Sequence, residues 1–508
     1  MKKSKHRPVS ETETFHKENC SKMNQPIGRS LAAGLAAAIL VLGATPGHAQ
    51  TLQVYSGDTA WMMMATVLVM LMSIPGLALF YGGLVRTKNT LSMLTQVFAT
   101  ICMVAVIWIV VGYSLAFTPS NYSGLIGGFS KAFLGGVTVD SAVPTFSAGV
   151  AIPEFCFVAF QMMIACLTPA IIVGAFAERM RFSAMLLFIA LWVVLVYVPI
   201  AHMAWFRVAP DEIAEATRAV MASAPGEARR QAELALAALQ NGAGLFQQWG
   251  ALDFAGGTVV HISAGIAGLI GAISLGKRVG YGRDSMAPHN LTMTMTGAAL
   301  LWVGWFGFNA GSALRADGTA GLAVLNTILG PASGALAWAA VEWFSRGKPS
   351  SLGMASGMLA GAVAITPGAG YVGPMGAIVI GIAAGNLCYI FTTTVKNHYE
   401  YDDALDVFGI HCVSGLVGAI LLALMASPRL GGTGLIDVAK AGLGLPVYDV
   451  GQQLIAQLKA CAVTLLWSGL VSAQLLRIVD FLVGLRPEED EEDQGLDIVD
   501  HGERAYNY

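Results

Sequence analysis

The sequence predicts an all-α membrane protein of eleven transmembrane helices, arranged as an inverted five-plus-five repeat followed by one last long helix. Three observations carry that expectation. Of the 508 residues, 55% are hydrophobic and 12% charged, with a mean hydropathy of +0.63, far from the balance of a water-soluble domain. Eleven apolar runs are long enough to span a bilayer, since a helix advancing about 1.5 Å per residue needs roughly 20 residues to cross about 30 Å of hydrocarbon. A histidine also sits deep in the fifth run, in ALDFAGGTVVHISAG (Ala251 to Gly265), and another in the tenth, in ALDVFGIHCVSG (Ala404 to Gly415).

Residues 1–49 read as a signal peptide. Arg29 precedes the apolar run LAAGLAAAILVLG (Leu31 to Gly43), and Gly47-His48-Ala49 offers small residues where signal peptidase reads. The mature chain would begin at Gln50, and the long polar stretch before Met23 leaves Met23 open as the true start. A transmembrane domain over 50–485 follows, with spans near 60–80, 91–117, 155–177, 182–203, 257–275, 291–310, 320–345, 353–366, 374–394, 407–425 and 453–483. The eighth is short and Gly-rich, so its ends are the least defined.

Orientation comes from positive residues, which resist translocation. Loops after odd-numbered spans hold Arg86, Lys88, Arg179, Arg181, Lys277, Arg278, Arg283, Arg346, Lys348 and Lys396. Those after even-numbered spans, one long insert aside, hold only Lys131, Arg315, Arg429 and Lys440. The first set is expected to face the cytoplasm. An odd number of spans then puts the mature N-terminus outside and the tail, 486–508, inside, as a cleaved leader also requires. The insert, about 206–250, contains PDEIAEATRAVMASA and GEARRQAELALAALQNG, which predict an external helical hairpin. It reads as a solvated decoration, although its external place leaves a mechanistic part open.

Composition excludes several functions. A net charge of −3 and the lack of any basic stretch interleaved with aromatics argue against nucleic acid. No HExxH, GxSxG or paired-carboxylate pattern points to an enzyme. Cys102, Cys156, Cys166, Cys388, Cys412 and Cys461 show no metal-binding spacing and read as small core residues, with no disulfide and no cofactor expected. The 59 glycines recur at helical spacing, as at Gly353, Gly357 and Gly361, and fit close helix packing.

His261 and His411 occupy runs that each close a block of five spans, and those two helices cross in opposite directions. Inverted repeats bring corresponding residues together near the midplane, where substrate sites lie. A hydrogen-bonded pair of neutral imidazoles would suit a small polar neutral molecule better than a cation. Two alternatives stand beside this: each ring as a satisfied packing histidine, and the pair as axial haem ligands. Asp253 precedes GGTVV and can cap the fifth span, while Asp406 leads the tenth in a similar way. A capping Asp253 still contributes negative potential near the outer mouth. Trp205 at the end of the fourth span, and Trp305, Phe308 and Ser312 in the sixth, supply the aromatic faces and hydroxyl of a cation site.

Several stretches together resemble the ammonium transporters of the Amt/Mep/Rh family: ALFYGGLVRTKN (Ala78 to Asn89), GAFAERMRFSA (Gly174 to Ala184), PIAHMAW (Pro199 to Trp205), ALDFAGGTVVH (Ala251 to His261), WFGFNAGS (Trp305 to Ser312), DVFGIH (Asp406 to His411) and GLDIVDHGERAY (Gly495 to Tyr506). The likeness runs from about residue 59 to the C-terminus. It implies a homotrimeric, channel-like carrier of the bacterial inner membrane with one pore per subunit. By position, Trp205 and Ser312 would recruit ammonium with Asp253 in support, Phe308 would gate below, and His261 and His411 would line the pore. Nitrogen would then pass deprotonated or with its proton relayed separately. Tyr81 and Thr366 match supporting positions. The family's outer gate is usually two stacked phenylalanines, and the third-span member falls here at Ile164, which implies an altered gate. The tail matches a segment that packs under the trimer and helps a P-II-type nitrogen regulatory protein dock. A sensor signalling through that tail is the alternative function.

Overall fold

Backbone amides in hydrocarbon must be satisfied within their own segment, and the apolar runs do this as helices. The computed structural model describes residues 52–119, 123–434 and 448–506; the leader expected over 1–49 lies outside them. Among the described residues, eleven helices are long and apolar enough to cross a membrane. The first four spans are α1 Ser56–Leu84, α2 Thr87–Phe117, α3 Glu154–Phe176 and α4 Phe182–Trp205. Two shorter helices, α5 Pro210–Ala222 and α6 Glu227–Asn241, follow. The fifth to eleventh spans are α7 Gly257–Leu275, α8 Leu291–Gly311, α9 Gly318–Arg346, α10 Ser351–Gly368, α11 Pro374–Tyr399, α12 Phe408–Met425 and α13 Val450–Val483. Two tail helices follow, α14 Glu489–Gln494 and α15 Leu496–His501.

The structure differs from the sequence reading in four places. The ninth span runs to Tyr399, so Lys396 lies inside a helix, paired with Asp406 at 2.6 Å, and not in a loop. Asp406 is consequently not the cap of α12: Asp403 accepts from the Phe408 amide at 2.7 Å instead. Cys102 is exposed on α2, where small core packing was expected. A small sheet, absent from the sequence reading, joins β1 Gln53–Val54, β2 Ala142–Pro144 and β3 Val150–Pro153 in the order β1-β3-β2. β1 runs parallel to β3, with Gln53 opposite Val150, and β2 runs antiparallel to it. Strands this short carry too few residues for alternation to show.

Small residues set the helix crossings that matter. Gly304 and Gly307 of α8 lie against α1, where an added Cβ would fall 2.3 Å from the Met72 Cβ and 2.5 Å from that of Leu68. The α7–α12 crossing is made the same way from both sides. A Cβ on Gly265 would meet the Cys412 backbone nitrogen at 2.4 Å, and one on Gly415 would meet Ile262 at 2.8 Å. Each of these glycines stands four residues after a histidine, His261 or His411, so the closest approach of the two helices falls one turn from both rings.

The last span braces this crossing. From α13, Gln457 donates to the Leu252 and Ala419 carbonyls at 2.9 and 3.1 Å and accepts from the Leu252 amide at 2.6 Å, tying the approach to α7 to the middle of α12. On the face that carries most of the positive loops, Arg278 grips Asp402 through two nitrogens at 2.9 and 2.8 Å and reaches Glu178 at 3.3 Å. The tail packs onto that cluster: the Val279 amide donates to Glu492 at 2.7 Å and the Ser92 amide to Asp497 at 2.7 Å. Leu496 beside them is fully buried.

Candidate functional site

Both histidines sit in a wide, π-helical turn at the start of their spans, Gly257–Ile262 in α7 and Phe408–Cys412 in α12. Such turns recur at functional sites because they rotate a side chain out of the regular helical register. The structure brings the rings together: the Nδ1 atoms stand 3.2 Å apart, with centroids at 5.4 Å and planes at 19°. One Nδ1 must donate and the other accept, so in the neutral pair one Nε2 is a bare acceptor and the other an N–H donor. His261 Nε2 is buried with no protein partner. A haem does not fit here, because two imidazoles across one iron place their ligand nitrogens roughly 4 Å apart with a macrocycle between.

Trp305 stacks on His261 at 5.7 Å and 20°. Its indole donates to Thr366 Oγ1 at 3.0 Å, and Thr366 donates onward to the Ala362 carbonyl at 2.8 Å, so Thr366 acts by holding Trp305. Tyr81 is buried and donates to the Ile171 carbonyl at 3.0 Å. Phe308 is fully buried, with His261 and Trp305 each at 6.1 Å as its ring neighbours.

Three cavities lie along this column. One of about 170 Å³ is lined by Trp205, Asp253, Ser312, Gln161 and Phe157 among others. A second, of about 20 Å³, holds both histidines with Trp305 and Tyr81. The third, about 180 Å³, is lined by Tyr81, His411 and Asp406 and shares walls with the second. Ser312, in the first cavity, donates to the Phe308 carbonyl one turn away at 2.9 Å, and the Phe308 ring lines none of the three spaces.

In the first cavity the Trp205 indole donates to the Asp253 carbonyl oxygen at 2.9 Å, which fixes the ring and leaves its face free. The Asp253 carboxylate caps α7, accepting from the Gly256, Gly257 and Thr258 amides at 2.8, 2.6 and 2.7 Å and from the Thr258 hydroxyl. Burial raises its pKa against the pull of those donors. Ile164 is buried on α3, one turn beyond Phe160, and lines neither of the cavities next to Phe308. Asp406 sits at the far cavity with φ of 59°, a left-handed conformation that a short polar side chain tolerates.

A profile of the Ammonium Transporter Family matches residues 60–506. The chain belongs to the ammonium transporter family. This family member is 43% identical to an ammonium transporter of Bacillus subtilis (strain 168) over 89% of its own length and 98% of the relative's. It is 40% identical to an ammonium transporter of Aquifex aeolicus (strain VF5) over 94% and 99% of the two chains. Among solved structures it matches a "Sensor Amt Protein" with a TM-score of 0.72 at 26% identity, covering 88% of this chain and 98% of that one. Saccharomyces cerevisiae Mep2 matches with a TM-score of 0.70 at 30% identity, covering 87% and 92%.

Sequence reasoning missed several residues at the first cavity of this family member. Gln161 is buried there with an unpartnered Oε1, and a lone amide in the apolar run of α3 was the available signal. Phe146 and Arg207 also line it. Phe146 gave no signal, because its loop has no periodicity. Arg207 follows Trp205 so closely that it reads as an ordinary interfacial cation.

Proposed function

We propose that the chain moves ammonium across a bacterial inner membrane, taking it in at the first cavity and passing it by His261 and His411. In this reading the Trp205 face and the Ser312 hydroxyl replace part of the ion's water shell, and Asp253 adds negative potential. Phe308, with Ile164 in place of a second aromatic ring, separates that site from the histidines. Beyond it the donor and acceptor nitrogens of the pair meet neutral ammonia, the proton being lost or carried separately. The observation that carries the reading is the 3.2 Å contact of the two imidazoles in a cavity of about 20 Å³ with larger cavities to either side.

The test is the current on a solid-supported membrane when proteoliposomes receive an ammonium pulse. His261→Ala and His411→Ala are expected to lose flux or selectivity; wild-type behaviour in both would refute the pore role. The positive loops support a cytoplasmic tail, with the mature N-terminus outside. In the same reading the subunits form a homotrimer, and the packed tail with its neighbouring loops receives a P-II-type protein. A pull-down from ammonium-replete extract that retains no such protein would remove that partner. The likeness to a protein described as a sensor supports a second reading, in which the same site signals through the tail.

A further inference from the structure

Both ends of the 206–250 insert are anchored at the first cavity. The Gly244 amide donates to the Phe206 carbonyl at 2.8 Å, closing the insert on itself. At the start of α5, the Asp211 carboxylate accepts from the Gly149 amide through both oxygens, at 3.0 and 2.8 Å. That clamp holds the β2–β3 loop, which carries Phe146, against the insert. Arg207 lies between these two anchors, with its guanidinium carbon 3.0 Å from the centre of the Phe146 ring, and both residues line the cavity of Trp205, Asp253 and Ser312.

The charge on Arg207 is not cancelled locally. Among the described residues it makes no ion pair and donates no hydrogen bond, and the one titratable group acting on it is the Tyr371 hydroxyl. Asp253, the acid in the same cavity, is spent on the amides of α7. Burial lowers the Arg207 pKa to about 9, which leaves it protonated at neutral pH. A recruitment site for a cation therefore carries a fixed cation in its wall. The Phe146 ring offers the guanidinium a cation–π contact but no counter-charge.

We infer that Arg207 is an affinity-determining residue of the outer cavity: the insert places its guanidinium over Phe146, where it opposes cation binding and raises the ammonium concentration needed for half-maximal transport. The inference rests on the proposed recruitment at Trp205 and Ser312. It gives the insert a part in transport, as a holder of charge at the mouth. Unit charges roughly 10 Å apart at an effective dielectric of a few tens alter binding by about three- to tenfold. Dissolved salt reduces the effect, because Trp205, Arg207 and Asp253 are each partly exposed.

The test compares ammonium-evoked currents from proteoliposomes carrying wild type, Arg207→Gln, Arg207→Lys and Trp205→Leu, at low and high ionic strength. Arg207→Gln is expected to lower the half-saturating concentration about three- to tenfold at low salt, and less at high salt. Arg207→Lys, which keeps the charge, should stay near wild type, and Trp205→Leu should raise the value. If Arg207→Gln matches wild type while Trp205→Leu shifts, the inference falls and recruitment stands. If Arg207→Lys shifts as far as Arg207→Gln, shape and not charge is responsible, and the inference falls too. If Trp205→Leu leaves the value unmoved, it is the recruitment reading that fails. Should Arg207→Gln not fold, Phe146→Leu, which frees the guanidinium from its ring, must still change the half-saturating concentration for the inference to survive.

Discussion

A threonine hydroxyl decides where the ring stacked on His261 can lie. Thr366→Val keeps the shape but removes the acceptor of the Trp305 indole, leaving a buried N–H unpaired at a cost of about 1–3 kcal/mol. Thermal unfolding in detergent should fall accordingly, and unchanged stability would show that the indole finds another partner. Asp403 gives a second expectation. Burial raises its pKa to about 6, and one of its oxygens has no partner. Between about pH 4 and 6 the folded state therefore holds more protons than the unfolded one, so the contribution of Asp403 to stability declines as pH rises through that window. Wild type should gain about 1 kcal/mol on Asp403→Asn between pH 7 and pH 5; an equal gap at both would contradict the assignment. At this scale, the residues with unusual surroundings in sequence were legible: His261, His411, Asp253 and Trp205 each stand out against an apolar background. Asp403 was not, because three aspartates lie within five positions, and only the path of the chain selects Asp403 as the cap while Asp406 turns to Lys396.

The helices themselves were legible because hydrocarbon thickness sets their length, and the fifth span was placed at 257–275, as it stands. The π-helical turns at His261 and His411 were not, since no residue type marks a π turn. Nor did glycine periodicity distinguish the critical glycines from ordinary ones. Gly265→Ala drives a Cβ into the backbone of α12 and should cost about 1–3 kcal/mol. In the proposed reading it should also reduce flux by parting the imidazoles. Gly321→Ala is the control: nothing lies within 4 Å, so the same change on α9 is expected to be neutral or slightly stabilising. Equal effects at the two sites, measured by unfolding and by transport, would mean that the α7–α12 approach tolerates a methyl group.

Across the whole molecule, the positive loops also tie distant segments together. Arg278 is buried between Asp402 and Glu178, and the next residue, Val279, receives the tail through Glu492. Removing one partner of a buried charge cluster costs on the order of 3 kcal/mol. Arg278→Ala should therefore destabilise the fold and loosen the tail, exposing 486–506 to limited proteolysis; a tail as protected as in wild type would show that it docks independently. The sequence indicated which loops hold charge but not that those charges pair across the chain, because partners such as Arg278 and Asp402 lie 124 positions apart.

The central chamber of about 20 Å³ has room for one water-sized guest. In the proposed reading, passage by the two histidines is therefore a matter of single occupancy, each traveller waiting for the berth to empty. A guest larger by one methyl group has to push Tyr81, Trp305 or a histidine aside, so crossing should slow with each added carbon even where the mouth admits the larger ion as readily.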